Sequence, residues 1–235
     1  MPVKVPALAA ALVLSLLALA PAGVRAAAPA DFDPLKAYGN RIVFDVYRGD
    51  ERIGQHVVSF TRQGGSLDVE ARFNAEVEML GMTVFRFDYH SSADWRDGRL
   101  LDLTANTNED GDRRRVRVFR NDGDLVVRGP DGVKVAKDAL PSNHWNPAAI
   151  HASQLINTLT GHIAQVRISP VGTERVDTNA GTVDAKRYRI DGDLRDVEVW
   201  YDGDGRWVKL RFREQGNLID YRCVQCVNGM KVASE

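Results

Sequence analysis

The chain has 235 residues, 44% hydrophobic and 27% charged, with a formal net charge of −1. Near-neutral balance excludes the strongly basic class of nucleic-acid binders. The hydrophobic fraction suits a globular domain with its own core.

Residues 1–26 read as an export signal. Lys4 gives the positive start, Ala7 to Ala20 is apolar except for Ser15, and Pro21 breaks the run. Val24-Arg25-Ala26 then places small residues around a cut after Ala26. An apolar run of about 14 residues falls short of the roughly 20 needed to span a bilayer, so cleavage is expected rather than anchoring. No cysteine lies near the cut and no later stretch is long and apolar enough to cross a membrane. A leader over 27–40 and one β domain over 41–235 are expected, a usual size for an all-β domain.

From Arg41 the pattern is that of strands. Ile42, Phe44 and Val46 alternate with more polar neighbours until Arg48-Gly49-Asp50 turns the chain, and Glu51–Arg62 returns to Gly64-Gly65. Leu67, Val69, Ala71, Phe73, Ala75, Val77 and Met79 then alternate with Asp68, Glu70, Arg72, Asn74, Glu76 and Glu78. Strict period-two alternation means one buried and one wetted face. Thirteen residues span roughly 43 Å as a strand, long enough to force twist and bend. Phe85, Phe87 and Tyr89 continue the pattern beyond Gly81.

Seven Asp-Gly pairs, beginning at Asp97-Gly98, Asp110-Gly111 and Asp122-Gly123, punctuate the remainder of the chain. Both residues tolerate positive φ and fit the tight turns of twisted hairpins. Hairpins are expected through Leu100–Ala136, and again over Ile163–Asp177, Thr182–Asp191, Arg195–Tyr201, Arg206–Glu214 and Asn217–Arg222. Between the two runs, Asn146-Pro147 offers a cap and a first-turn proline. Ala148, Ala152, Leu155 and Leu159 fall on one helical face, so one amphipathic α-helix is expected at about 147–159, packed on the sheet or plugging its mouth. The fold class is all-β and mainly antiparallel: a strongly curved sheet or open barrel of hairpins with one packed helix.

Asn106-Thr-Asn-Glu-Asp110-Gly111 imitates the start of a calcium loop, but Arg117 stands where the bidentate glutamate belongs. The reading is a hairpin turn, and no metal site is expected. Cys223-Val-Gln-Cys226 lacks a second pair for zinc and a βαβ context for redox work. Export favours a disulfide, which requires a turn at Val224-Gln225 because an extended strand would hold the two Cα atoms roughly 10 Å apart.

His56, His90, His144, His151 and His162 do not cluster in sequence and read as exposed or loop-packing residues. Ser142 near His144 carries no Gly-x-Ser-x-Gly signature. Arg113, Arg115 and Arg117 share one strand face, as do Lys209, Arg211 and Arg213 opposite Val208, Leu210 and Phe212. These stripes either grip an anionic head group or polymer, or form a solvated face paired with carboxylates such as Glu70 and Glu76.

Trp95-Arg-Asp-Gly-Arg-Leu100, Ser142-Asn-His-Trp-Asn-Pro147 and the run Trp200 to Phe212 resemble the signatures of secreted Gram-negative proteins catalogued as domain of unknown function family 6134. The resemblance covers roughly Arg41 to Tyr221. It implies an export signal, a curved antiparallel sheet with one helix, and no established activity. The implied architecture is similar to that of periplasmic lipoprotein carriers.

The expected function is therefore that of an exported, periplasmic accessory or binding protein without evident catalysis. It would hold a lipid or other amphipathic small molecule between sheet and helix, and no cofactor and no nucleic acid are expected. Candidate ligand-binding residues are His144, Trp145, Asn146, Trp200, Trp207, Lys209 and Arg211. The alternatives are a structural or envelope-assembly protein with a filled core, and a hydrolase or transferase using His144. An apolar cavity with a polar mouth separates the first reading from the second. The third needs a histidine bonded to a nucleophile and a carboxylate.

Overall fold

The computed structural model describes residues 32–79, 82–137 and 139–229. The expected export signal lies outside them. Among the described residues no helix is long and apolar enough to cross a membrane.

Among the described residues fifteen strands form one sheet. Its first arm is an up-and-down meander: β1 (Arg41–Arg48), β2 (Glu51–Gln63), β3 (Ser66–Met79), β4 (Met82–Arg96), β5 (Arg99–Glu109), β6 (Asp112–Asn121), β7 (Asp124–Gly129) and β8 (Gly132–Ala136). Three turns of this arm carry the Asp-Gly geometry, with φ of 49°, 49° and 48° at Asp97, Asp110 and Asp122 and positive φ at the following glycines. Short β9 (Leu140–Pro141) and β10 (Gln154–Ile156) lead to β11 (Ile163–Thr178), β12 (Gly181–Gly192), β13 (Val197–Asp202), β14 (Trp207–Glu214) and β15 (Asn217–Gln225). β15 then pairs with β1, so the two arms share a centre, and every pairing is antiparallel except β9 with β10.

The sheet edges β8 and β9 meet because only residues 137–139 separate them. A Cβ at Gly129 would lie 2.7 Å from the Thr160 carbonyl oxygen, so β7 packs directly on the loop before β11. The result is a barrel-like wall closed by packing rather than by a last ladder. Bulges between Val46 and Tyr47, Trp200 and Tyr201, and Pro170 and Gly172 supply the bends.

The expected helix at 147–159 is absent. Pro147–His151 forms one 3-10 turn, capped by Asn146 as the sequence suggested, and Gln154–Ile156 continues as β10. Ala152 is already extended, with ψ 140°. Sheet pairing of Leu155 with Ala164 and Leu140 outweighed helical periodicity there. The segment nevertheless fills one end of the barrel. A short helix, α1 (Pro34–Tyr38), joins it from what was expected to be a leader. Asp33 caps α1 by accepting the Leu35 N–H, and Tyr38 is fully buried.

Close approach elsewhere is as strict. A Cβ at Gly54 would stand 2.0 Å from the Asn74 carbonyl oxygen on β3. Gly54→Ala should therefore destabilise the protein by about 1–3 kcal/mol or more, because backbone rather than a side-chain tip must move. Urea denaturation checks it; an unchanged midpoint would contradict the β2–β3 register.

Candidate functional site

The inner face of the sheet has a plugged end and an open end. At the plugged end Trp145 packs edge-on against Trp95 and Phe60, with ring centroids 5.2 and 5.5 Å apart. Tyr38 stacks on Phe60, donates its hydroxyl to the Trp145 carbonyl and accepts the Trp207 backbone N–H. Tyr201 donates to the His144 carbonyl. Burial pushes both phenols well above their usual range. Trp145 and Trp207 are thus core packing, not the rim of a cavity, and Asn146 is a cap.

Midway along the lumen, Trp207 is fully buried against Phe44 (4.4 Å), His56 (5.8 Å), His144 (5.8 Å) and Tyr221 (6.1 Å). The two histidines that looked scattered in sequence therefore meet around one indole. Burial lowers both imidazoles to about 4, and the neighbouring His144 adds to the shift at His56. Neither His56 nitrogen has a hydrogen-bond partner among the described residues. The expectation of exposed or loop-packing histidines holds for His144, which packs from a loop, and for the exposed His90, His151 and His162. It fails for His56, which period two carries inward with Val58 and Phe60. No hydroxyl or carboxylate bonds the His144 ring among the described residues, so it lacks the partners that nucleophilic catalysis requires.

The other end differs. Phe73, Phe85, Phe87 and Phe212 on the inner face are only half-buried. They form a contiguous row: Phe85 to Phe87 at 6.5 Å, Phe87 to Phe73 at 5.5 Å, and Phe73 stacked on His56 at 5.9 Å. Tyr221 bridges Phe73 to Phe212. Beside Phe87, its cross-strand partner Glu109 pairs with Arg114 from β6. A row of half-covered rings thus runs from a charged pair to the His56 imidazole, whose two nitrogens are covered. Sequence reasoning placed these phenylalanines on the buried face without asking which would stay half-covered.

Trp200 lies on the opposite face from Trp207, because the bulge between Trp200 and Tyr201 breaks the alternation. Lys209 and Arg211 do gather there, each 5.1 Å from the Trp200 ring. The group is closed, though: Trp200 is fully buried, its Nε1–H donates to Glu174, and the cations face Asp220 and Glu198. It serves as a second small core under the β11–β12 hairpin. The tip of that hairpin returns to the last strand, where Asn179 accepts the backbone N–H groups of Cys226 and Val227. Cys223 and Cys226 are bonded, with Cα atoms 5.7 Å apart, but the turn expected at Val224-Gln225 is absent. Both residues stay in β15, and a bulge opposite Val43 and Phe44 shortens the span instead. Asn108 accepts the Gly111 N–H, making the calcium-like sequence a hairpin turn. Among the described residues no cluster of three or more His, Cys, Asp or Glu is placed to hold a metal.

Comparison with known proteins agrees with the architecture. The chain is similar to a solved β-barrel-like protein of the domain-of-unknown-function family DUF1849 from Brucella abortus, at 12% identity and a TM-score of 0.56, over 80% of this chain and 96% of that one. At that identity the likeness concerns the fold alone. No curated protein sequence matches. The profile of the domain of unknown function DUF6134 matches residues 44–224, most of the sheet, and the chain belongs to that family.

Proposed function

We propose that this is an exported, periplasmic accessory protein that holds an amphipathic small molecule in the open end of its curved sheet. The observation that carries the reading is the row of half-buried rings, Phe85, Phe87, Phe73 and Phe212, beside the inward-facing Glu109–Arg114 pair. Apolar walls with a few convergent polar groups are the usual make-up of small-molecule sites. An acyl or aryl chain would lie along the rings, with its polar head at Glu109 and Arg114. The site differs from the one expected around Trp145 and Trp200, both of which are packed shut.

Native mass spectrometry of protein purified from its own cell envelope tests this. The expected result is a bound amphiphile, with retention reduced at least tenfold in Phe87→Asp while the melting temperature stays within a few degrees. Phe87 is half-exposed, so a carboxylate there keeps access to water but interrupts the apolar wall. Bare wild-type protein that also fails to bind a fluorescent fatty acid would favour the structural, filled-core reading.

A further inference from the structure

The outer face of β3–β6 carries a feature that the lumen does not explain. Cross-strand register places Arg72, His90, Asn106 and Arg115 in one row, and Asn74, Asp88, Asn108 and Arg113 in the next. Together they line an open depression of about 660 Å³. Strands lie about 4.8 Å apart and same-face neighbours about 7 Å apart, so the patch is roughly 14 by 7 Å.

Its charge is not internally balanced. Among the described residues, Arg72 pairs with Glu70, Arg86 with Glu76 and Arg117 with Asp102, whereas Arg113 and Arg115 have no carboxylate within 4.0 Å and no side-chain hydrogen bond. The carboxylates expected to neutralise this stripe are thus engaged elsewhere. Arg113 and Arg115 are both exposed, so the two free guanidinium groups are open to solvent. The amides of Asn106 and Asn108 stand directly across from them. Asp88, held by the Asn74 amide at 2.6 Å, adds an acceptor that an isolated anion would avoid but a hydroxyl would use.

The depression also continues. Arg72, Asn74 and Glu70 on β3 border a second one of about 420 Å³ over Gln55, Val57 and Ser59 on β2, where Glu70 is engaged by Arg72. Val57 is the one aliphatic side chain along this course among the described residues, so there is no place for a hydrocarbon tail. Tyr89 belongs to the inner face, where its hydroxyl meets Thr158.

We infer that the outer face of β2–β6 binds an acidic saccharide chain. Arg113 and Arg115 grip its sulfate, phosphate or carboxylate group, while the amides and Asp88 take its hydroxyls. Arginine suits this task because its planar fork meets an oxyanion through two N–H donors at once. The inference does not depend on what fills the lumen, since Arg113 and Arg115, which do the gripping, alternate along β6 with Arg114, the one residue that both the depression and the lumen pair use.

Isothermal titration calorimetry with three probes tests it: a sulfated glucan oligomer, the neutral glucan oligomer of equal length, and inorganic phosphate. The sulfated oligomer is expected to bind at least tenfold tighter than either of the others, and more weakly as salt rises. Arg113→Gln/Arg115→Gln should lose at least tenfold in affinity with an unchanged melting temperature, because both side chains are exposed. Arg48→Gln/Arg62→Gln removes the same charge from elsewhere on the sheet and should keep the affinity within twofold. A neutral oligomer or bare phosphate that binds as tightly as the sulfated oligomer would overturn the inference. So would an equal loss in the two double variants.

Discussion

Trp207→Ala is expected to lower the stability of the protein by about 3–5 kcal/mol, the cost of truncating a large buried aromatic. The loss should sit at the upper end of that range. Trp207 is fully buried, packs against Phe44, His56, His144 and Tyr221, and donates its Nε1–H to the Lys209 carbonyl. It joins β14 to β1, β2, β15 and the plugging segment, so few neighbours can collapse into the space. Against a total stability of roughly 5–15 kcal/mol, such a change leaves a marginal fold. Trp145→Ala should act similarly, since that ring wedges between Trp95 and Phe60. Trp200→Ala should cost about half as much, because Lys209 and Arg211 can swing out into water instead of leaving a void. Urea denaturation of the three variants gives the order directly. A Trp200 variant weaker than the Trp207 variant would move the main core to the other face of the bulge.

That bulge shows where the sequence stopped being readable. Alternation in 67–79 and the Asp-Gly turns revealed the hairpins and the all-β class, because period two and positive φ are local properties, but not that β15 returns to pair with β1. The disulfide was legible too, from the expectation of export, whereas the bulge that brings its two Cα atoms within reach was not. A bulge is one residue of irregularity without a compositional mark. It put Trp200 and Trp207 on opposite faces although the sequence grouped them as one rim. The helix expected at 147–159 failed for a different reason. Its apolar spacing was real, but Leu155 and Ile156 satisfy the same burial by pairing with β9 and β11, a long-range choice no local window contains. The meeting of His56 with His144 was hidden likewise, since it depends on the plug folding into the lumen. The free arginines of β6 were legible as a stripe, but which cations find carboxylates is a question of register.

Between pH 6.5 and about 4 the fold should lose stability steeply, and the two histidines packed against Trp207 are the cause. Burial holds His56 and His144 neutral down to about 4, while the same side chains in the unfolded chain take up protons below about 6.5. In that window the unfolded state binds more protons, so stability rises with pH there. The contribution is complete above 6.5 and shrinks as the pH falls through the window. Each imidazole accounts for roughly 3 kcal/mol at the acid end, since one pKa unit corresponds to about 1.4 kcal/mol. No carboxylate bonds either ring among the described residues, and the covered His56 nitrogens have no partner at all to offset a charge once it forms. Asp45 and Asp193, whose pKa values are lowered chiefly by hydrogen bonds from Arg52 and the Gln165 backbone, act only below their ordinary range near 3.8. They therefore leave the histidine window clear. His56→Leu supplies the internal control. It removes two unpartnered buried nitrogens, so it should match or exceed the wild type at pH 7.5. It should also remove about half of the acid loss, with His144 responsible for the rest. Urea midpoints measured from pH 7.5 to 4.5 decide the matter: a flat wild-type profile, or one that His56→Leu does not flatten, would mean that the imidazole beside Trp207 reaches water or a proton acceptor.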